Sequence, residues 1–409
     1  MINDRDKLIV RELAKKYMSL VCTERQERML ARFLDTNDLR ATRPPVILDE
    51  IPWYQMNMNG ELDCVCEDER AHKVEYHFRT AIFYMTHFAA DNTYLPEFRV
   101  RRAMSSSGIG IEYETLDLKR TDSINNIVSR EFRDVLEDES ALERMHDPVF
   151  TLHPEKDAAE MEFYTELLGD SIPIRLYGFD YFYYAPWDKI TRLRGVEPIL
   201  MDMYDRPEYL HEIIKKFTSA AHAELDFVEQ NLEVVRSNSL HCTPSLITVD
   251  ESKGLKSTWC RSMAQSFGVI SPAMFKEFEL DYLLSVAERF AYTYYGCCEP
   301  LDDKIEVLKQ IPNLRKIGCS PWAKVESCAE QIGGNYVLSR KPNPANVAIC
   351  TDPELIKSET EETVKACLAH GCPYDIVLKD ISTVSHRPEN LIVWAQTVND
   401  VLDQYYDKR

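Results

Sequence analysis

The chain has 409 residues, 44% hydrophobic and 10% aromatic, with a formal net charge of −20. These are the proportions of an ordinary globular protein long enough for a large core. The acidic balance argues against nucleic acid and anionic membrane surfaces, since both are bound through basic patches.

No run approaches the ~18–20 apolar residues of a membrane span, and the charged start Met1–Lys7 has no signal-peptide core behind it. The 12 cysteines are scattered. They read as free thiols of a reducing cytoplasm rather than disulfides, with some of them candidate metal ligands.

In chain order, Asp4–Asp38 predicts one or two exposed helices, an N-terminal helical extension over residues 1–43. Pro44–Leu48 reads as a first strand, Lys73–Phe88 as a helix, and Glu97–Met104 and Gly108–Tyr113 as strands. Between them Cys64-x-Cys66 has a chelating spacing, but no second pair completes a structural zinc set. Residues 114–170 read as an insertion or lid. Ile172–Tyr177 is a strand, followed by an aromatic run from Tyr177 to Trp187. Pro207–Gln230 is a helix with Pro in its first turn and Leu210, Ile213, Ile214 and Phe217 on one face. Ser237–Val249 holds a strand that ends near His241-Cys242. Ser271-Pro272 starts a helix to Phe290.

From there strands and helices alternate. The strands are Ala291–Cys297, Leu314–Ser320, Asn335–Arg340 and Tyr374–Asp380. The helices are Leu301–Ile311, Ala323–Ile332, Pro353–His370 and a last one from about Pro388 to Tyr405. Such alternation predicts βαβ units on a parallel sheet, whose active sites lie at the C-terminal ends of the strands. Those ends carry Cys297-Cys298-Glu299, Cys319-Ser320, Arg340-Lys341 and Lys379-Asp380. There is no Walker loop, no GxGxxG after a strand, no nucleophile elbow and no HExxH.

Gly195-Val196-Glu197 ahead of the Pro207-Glu208 helix, the stretch Ile270–Phe278, Tyr295-Gly296-Cys297-Cys298 and Arg387-Pro388-Glu389-Asn390-Leu391 follow one another in a specific order. Together they resemble the uroporphyrinogen decarboxylase superfamily over roughly residues 170–405. The resemblance implies an α/β fold, a (β/α)8 TIM barrel with the whole chain, 1–409, as one barrel unit. It also implies one of two chemistries. The cobalamin-linked methyltransferases of that superfamily pass a methyl group between a small donor and a corrinoid held by a separate protein, using zinc. Tyr295-x-Cys297 stands where their His-x-Cys would be, and Asp380 near their distant Cys.

The expected centre is therefore Zn²⁺ on Cys297 with His241, Cys319 or Asp380. Glu299, Tyr295 and Lys379 are the expected catalytic residues, with the metal or an acid such as Glu299 stabilising the leaving alkoxide. Tyr177, Tyr181, Tyr184 and Trp259 would enclose an aromatic methyl ether, and a second copy of the chain is a further candidate partner. Each residue also has a plainer reading. Cys297 can be an inert buried thiol, His241 a hydrogen-bonded structural histidine, Lys379-Asp380 a salt-bridged pair, and the aromatic run ordinary packing. A metal-free decarboxylase using Lys379, Asp380 and Arg99, Arg101 or Arg102, and a non-catalytic binding protein on the same barrel, are the competing functions.

Overall fold

The computed structural model describes residues 2–117, 130–237, 250–349 and 351–406. His241 and all but the first residue of the expected Ser237–Val249 strand lie outside the described residues.

One parallel sheet organises the molecule. Its seven strands run in the spatial order Val46–Leu48, Tyr374–Leu378, Val337–Arg340, Leu314–Cys319, Tyr292–Tyr295, Trp259–Ser262, Tyr181–Tyr184. The last strand in the chain pairs with the first, in register Val46 with Ile376, so the sheet curls into a half-barrel. Among the described residues no ladder joins Tyr181–Tyr184 back to Val46–Leu48, so the expected closure into eight strands is not seen there. The free edge of Val46–Leu48 is instead capped by a side chain, Val46 N–H donating to Asp91 Oδ2 at 2.9 Å.

Strands buried on both faces carry residues of high β-propensity at every position, which hides the alternation expected of a half-exposed strand. Tyr374–Leu378 is buried at every position. Tyr181–Tyr184, inside the aromatic run after Ile172–Tyr177, is a strand of the main sheet with Phe182 and Tyr184 buried and Tyr183 exposed. Ile174–Tyr177 pairs with Phe98–Arg101 in a separate two-stranded sheet. Gly108–Tyr113 forms no strand, and only Ile305–Leu308 of the expected Leu301–Ile311 helix is α-helical. The expected helix from Pro272 is interrupted by a π-turn over Lys276–Leu280. The N-terminal helices Asp4–Val21 and Glu24–Asn37 are capped by the side chains of Asn3 and Thr23. No helix among the described residues is long and apolar enough to cross a membrane.

The two faces of the sheet differ in chemistry. Toward the helices lies the main apolar core, with Cys260, Tyr295, Ile317 and Leu338 among its members. The inner face is polar. Lys316 Nζ meets Asp375 Oδ2 at 2.7 Å with both side chains 1% exposed. Ser339 Oγ donates to Asp375 Oδ1 at 2.6 Å, Tyr294 O–H donates to Ser339 Oγ at 3.1 Å, and Lys341 Nζ donates to Tyr294 Oη at 2.7 Å. Trp259 and Tyr294 pack beside this chain of bonds.

A buried pair of this kind is costly to break from one side. Asp375→Ala removes the buried carboxylate that faces Lys316 and should destabilise the fold by about 3–5 kcal/mol. Joint replacement by Lys316→Met and Asp375→Leu should cost less. Chemical denaturation of the three variants checks this, and a loss below about 1 kcal/mol for Asp375→Ala would contradict the role given to the pair.

Candidate functional site

The C-terminal ends of the strands meet at one rim. Gly296 follows the Tyr292–Tyr295 strand with φ 102°. A Cβ there would lie 2.5 Å from Leu301 Cδ1 and 3.3 Å from the Gly318 backbone, so only glycine fits. This turn breaks the strand alternation and brings Cys297, 3% exposed, beside Ala185 and Met263 at the mouth of the half-barrel.

Lys379 Nζ donates to Cys297 Sγ at 3.0 Å. Cys298 Sγ stands 3.4 Å from Cys297 Sγ and 3.0 Å from Asp380 Oδ2. The single Cys298 proton thus faces two acceptors, a sulfur and a carboxylate. Asp380 N–H donates to Glu50 Oε2 at 2.9 Å, and Lys379 Nζ lies 3.4 Å from Glu50 Oε1.

The charges follow from these contacts. The Cys298 thiol beside it, and then the Lys341 and Lys379 cations, overcome burial and push the Cys297 thiol down to about 5. Hydrogen bonding to Cys297, with burial, pushes Cys298 strongly up, so Cys298 keeps its proton. Burial opposes the charged forms of Lys341 and Lys379. Tyr294 and Cys297 nonetheless raise Lys341, and Cys297, Glu50 and Asp380 raise Lys379. Cys297 is a thiolate between ammonium groups, the setting that makes a cysteine reactive.

Glu299 closes the site from below. Its Oε2 accepts the Cys297 N–H at 2.9 Å, while its buried Oε1 has no hydrogen-bond partner among the described residues. Burial, with the nearby Cys297 charge, pushes this carboxyl up to about 7. It therefore holds a proton near neutral pH on an oxygen free to deliver it.

Of the residues expected from sequence, the structure brings together Cys297, Glu299, Lys379 and Asp380. It adds Cys298, Lys341 and Glu50, and Tyr183, whose hydroxyl reaches Met263 Sδ at 3.2 Å. Tyr295 does not share the face of Cys297. It points into the helix layer, where its hydroxyl donates to Glu279 Oε1 at 3.2 Å, because Gly296 resets the direction of the chain. Cys319 also faces the helices, beside Cys328 and 3.9 Å from Arg340 Nη1.

Trp259 and Tyr181 are paired at the N-terminal ends of their strands, the end opposite the rim. Tyr184 turns outward to Thr218 Oγ1 at 2.8 Å and borders a cavity of about 480 Å³ that Tyr183 and Ala185 also line. Tyr177 belongs to the small separate sheet. None of these four aromatic residues contacts the thiolate.

The Sγ atoms of Cys297 and Cys298 and a carboxylate oxygen of Asp380 all lie within 4.8 Å of one another. Two sulfurs, with Cys298 giving up its proton on binding, and a carboxylate with a fourth position open match the donor types and number of a catalytic zinc site. The residues present fit that metal. Lys379 is the cation that neutralises the same sulfur without one.

No protein-family profile matches the sequence, and no curated protein matches it significantly. Among solved structures the fold is similar to that of a methyltransferase from Methanosarcina mazei, with a TM-score of 0.50 at 13% identity over 91% of this chain and 98% of that one. At this identity the likeness shows the fold alone.

If the lysines hold Cys297 as a thiolate, the ultraviolet absorbance of the thiolate should vanish as pH falls through about 5. Removing one cation raises the thiol pKa, so Lys379→Met should move that midpoint upward. An unchanged midpoint in the variant would remove Lys379 from the cause.

Proposed function

We propose that the chain is a methyltransferase of the uroporphyrinogen-decarboxylase-like kind, working in the cytoplasm. In this reading it moves a methyl group from a small donor, an aromatic methyl ether, to the Co(I) corrinoid of a separate partner protein. The observation that carries it is the convergence of the Cys297, Cys298 and Asp380 donors beside a proton-bearing Glu299 on one strand-end rim. The fold likeness to a protein named a methyltransferase supports the same reading.

Zn²⁺ on Cys297, Cys298 and Asp380 would supply Lewis acidity for an ether oxygen. The chain's own residues do the rest. As the methyl carbon leaves, the C–O bonding pair stays on oxygen, and Glu299 Oε1 delivers its proton to that oxygen. Lys379 holds the charge balance of Cys297 as the donor enters, and Tyr183 and Met263 form the wall at the mouth. A carboxylate ligand is a harder and weaker donor than a third thiolate. That leaves the centre a stronger Lewis acid, suited to an ether rather than to thiol activation.

A metal-free lyase on the same barrel is the second reading. The 3.0 Å contact of Lys379 with Cys297 favours it, because this cation already neutralises the thiolate. Elemental analysis separates the two: about one zinc bound through Cys297 supports methyl transfer, and its absence from active protein supports the lyase. Cys297→Ser should lower metal content and turnover together. Asp380→Asn, which keeps shape and removes charge, should lower turnover by roughly 10²-fold or more.

The proton on Glu299 gives the pH dependence its sign. The acid is competent below its pKa, so turnover should fall as pH rises through about 7. Glu299→Gln should lose both most of the turnover and that limb of the profile. A variant that keeps the limb would assign it to another group.

A further inference from the structure

We propose a second divalent-metal site, built by Cys64, His72 and Glu75 where the loop before the Glu69–His87 helix folds back over its first turns. One ligand atom from each of the three lies within 4.8 Å of the others. The sequence shows only Cys64-x-Cys66, which is half a site. The fold supplies the rest, since His72 and Glu75 are three apart on one helix and so share a face, and the loop lays Cys64 against that face.

Two of the three ligands are already oriented by outer contacts. His72 Nδ1 lies 3.4 Å from the Cys66 carbonyl. A carbonyl can only accept, so Nδ1 carries the proton and Nε2 keeps its lone pair, the usual second-shell arrangement of a metal-binding histidine. The Glu75 carboxylate is fully buried. Its Oε2 accepts from Val65 N–H at 2.9 Å and Cys66 N–H at 2.8 Å, and its Oε1 accepts from Arg79 Nε at 2.8 Å. Arg79 Nη2 also lies 2.8 Å from Oε1 and Nη1 donates to the Glu61 carbonyl at 3.1 Å, so an ion would share Oε1 with a guanidinium that keeps the Glu61 carbonyl.

Cys64 Sγ donates to the Leu62 carbonyl at 3.7 Å, and its proton passes to solvent when an ion binds. The resulting set, one thiolate, one imidazole and one carboxylate beside the Arg79 cation, gives a divalent ion three donors and leaves a fourth tetrahedral place for water, as Zn²⁺ accepts. Such an ion would staple the loop to the helix. Asn57 and Leu62 of that loop line a cavity of about 610 Å³ that also touches Glu50, so the staple braces one wall beside the mouth. The inference does not rest on the methyltransferase reading.

Cobalt(II) added to the full chain carrying Cys297→Ser and Cys298→Ser tests it, because the mouth thiols are then silent. One equivalent should bind with a thiolate-to-cobalt charge-transfer band. Adding Cys64→Ser should abolish the band. Adding His72→Ala should weaken binding by roughly 10²-fold or more, given that even outer-shell partners cost 10–100-fold. No such band in the double-serine chain, or a band that survives Cys64→Ser, overturns the site. Should the double-serine chain not fold, Cys64→Ser in the otherwise natural chain must lower bound zinc by one equivalent, and unchanged zinc overturns it equally.

Discussion

Two ammonium groups buried under the rim of the sheet, on Lys341 and Lys379, constrain the rest of the site. Burying an unmatched ion costs several kcal/mol, so each needs an anion nearby. Lys379 has Glu50 and Asp380 within 4 Å. Among the described residues Lys341 has no carboxylate partner and donates to Tyr294 Oη and the Ser339 carbonyl. The negative charge acting on both lysines is the sulfur of Cys297. The thiolate is thus required by the fold as much as by any chemistry. Gly318 makes the arrangement possible, since a Cβ there would stand 3.1 Å from Lys341 Nζ.

Adjacent tyrosines on one strand serve two separate networks. Tyr294 faces inward and joins Lys341 to Ser339 and Asp375. Tyr295 faces outward to Glu279, which burial pushes up to about 8. Glu279 sits on the π-turn Lys276–Leu280. Turns of this kind often occur at functional sites, but here the buried acid is bonded to Tyr295 and Ser262 in the helix layer. The strand keeps the Cys297 thiolate and the Glu279 acid on opposite sides.

The βα alternation after residue 290 was legible because each strand is short, apolar and bounded by turn signals. Strand ends then located Cys297, Glu299, Lys379 and Asp380 from position alone. Three things were not legible, each for a physical reason. Strand alternation would put Tyr295 and Cys297 on one face and Cys298 on the other, and the positive φ of Gly296 that overrides it cannot be read from spacing. Tyr181–Tyr184 alternates in the structure, with Phe182 and Tyr184 buried and Tyr183 exposed, but four aromatic residues in a row show no period of two in the sequence. Glu50 reaches the site only because the first and last strands pair, a contact across 330 residues.

Backbone strain marks the same residues as charge does. Glu50 and Asp380 both hold left-handed conformations, at φ 51° and 58°, in a region where a non-glycine residue costs of order 1–3 kcal/mol. Aspartate tolerates it better than glutamate. Two such residues from opposite ends of the chain, locked by the bond from Asp380 N–H to Glu50 Oε2, are held by each other as well as by Lys379. Turning either carboxylate away from the mouth would leave Lys379 with one carboxylate and the thiolate. The strain therefore has a use: it keeps three anions around one buried cation, and it keeps Asp380 within reach of both sulfurs.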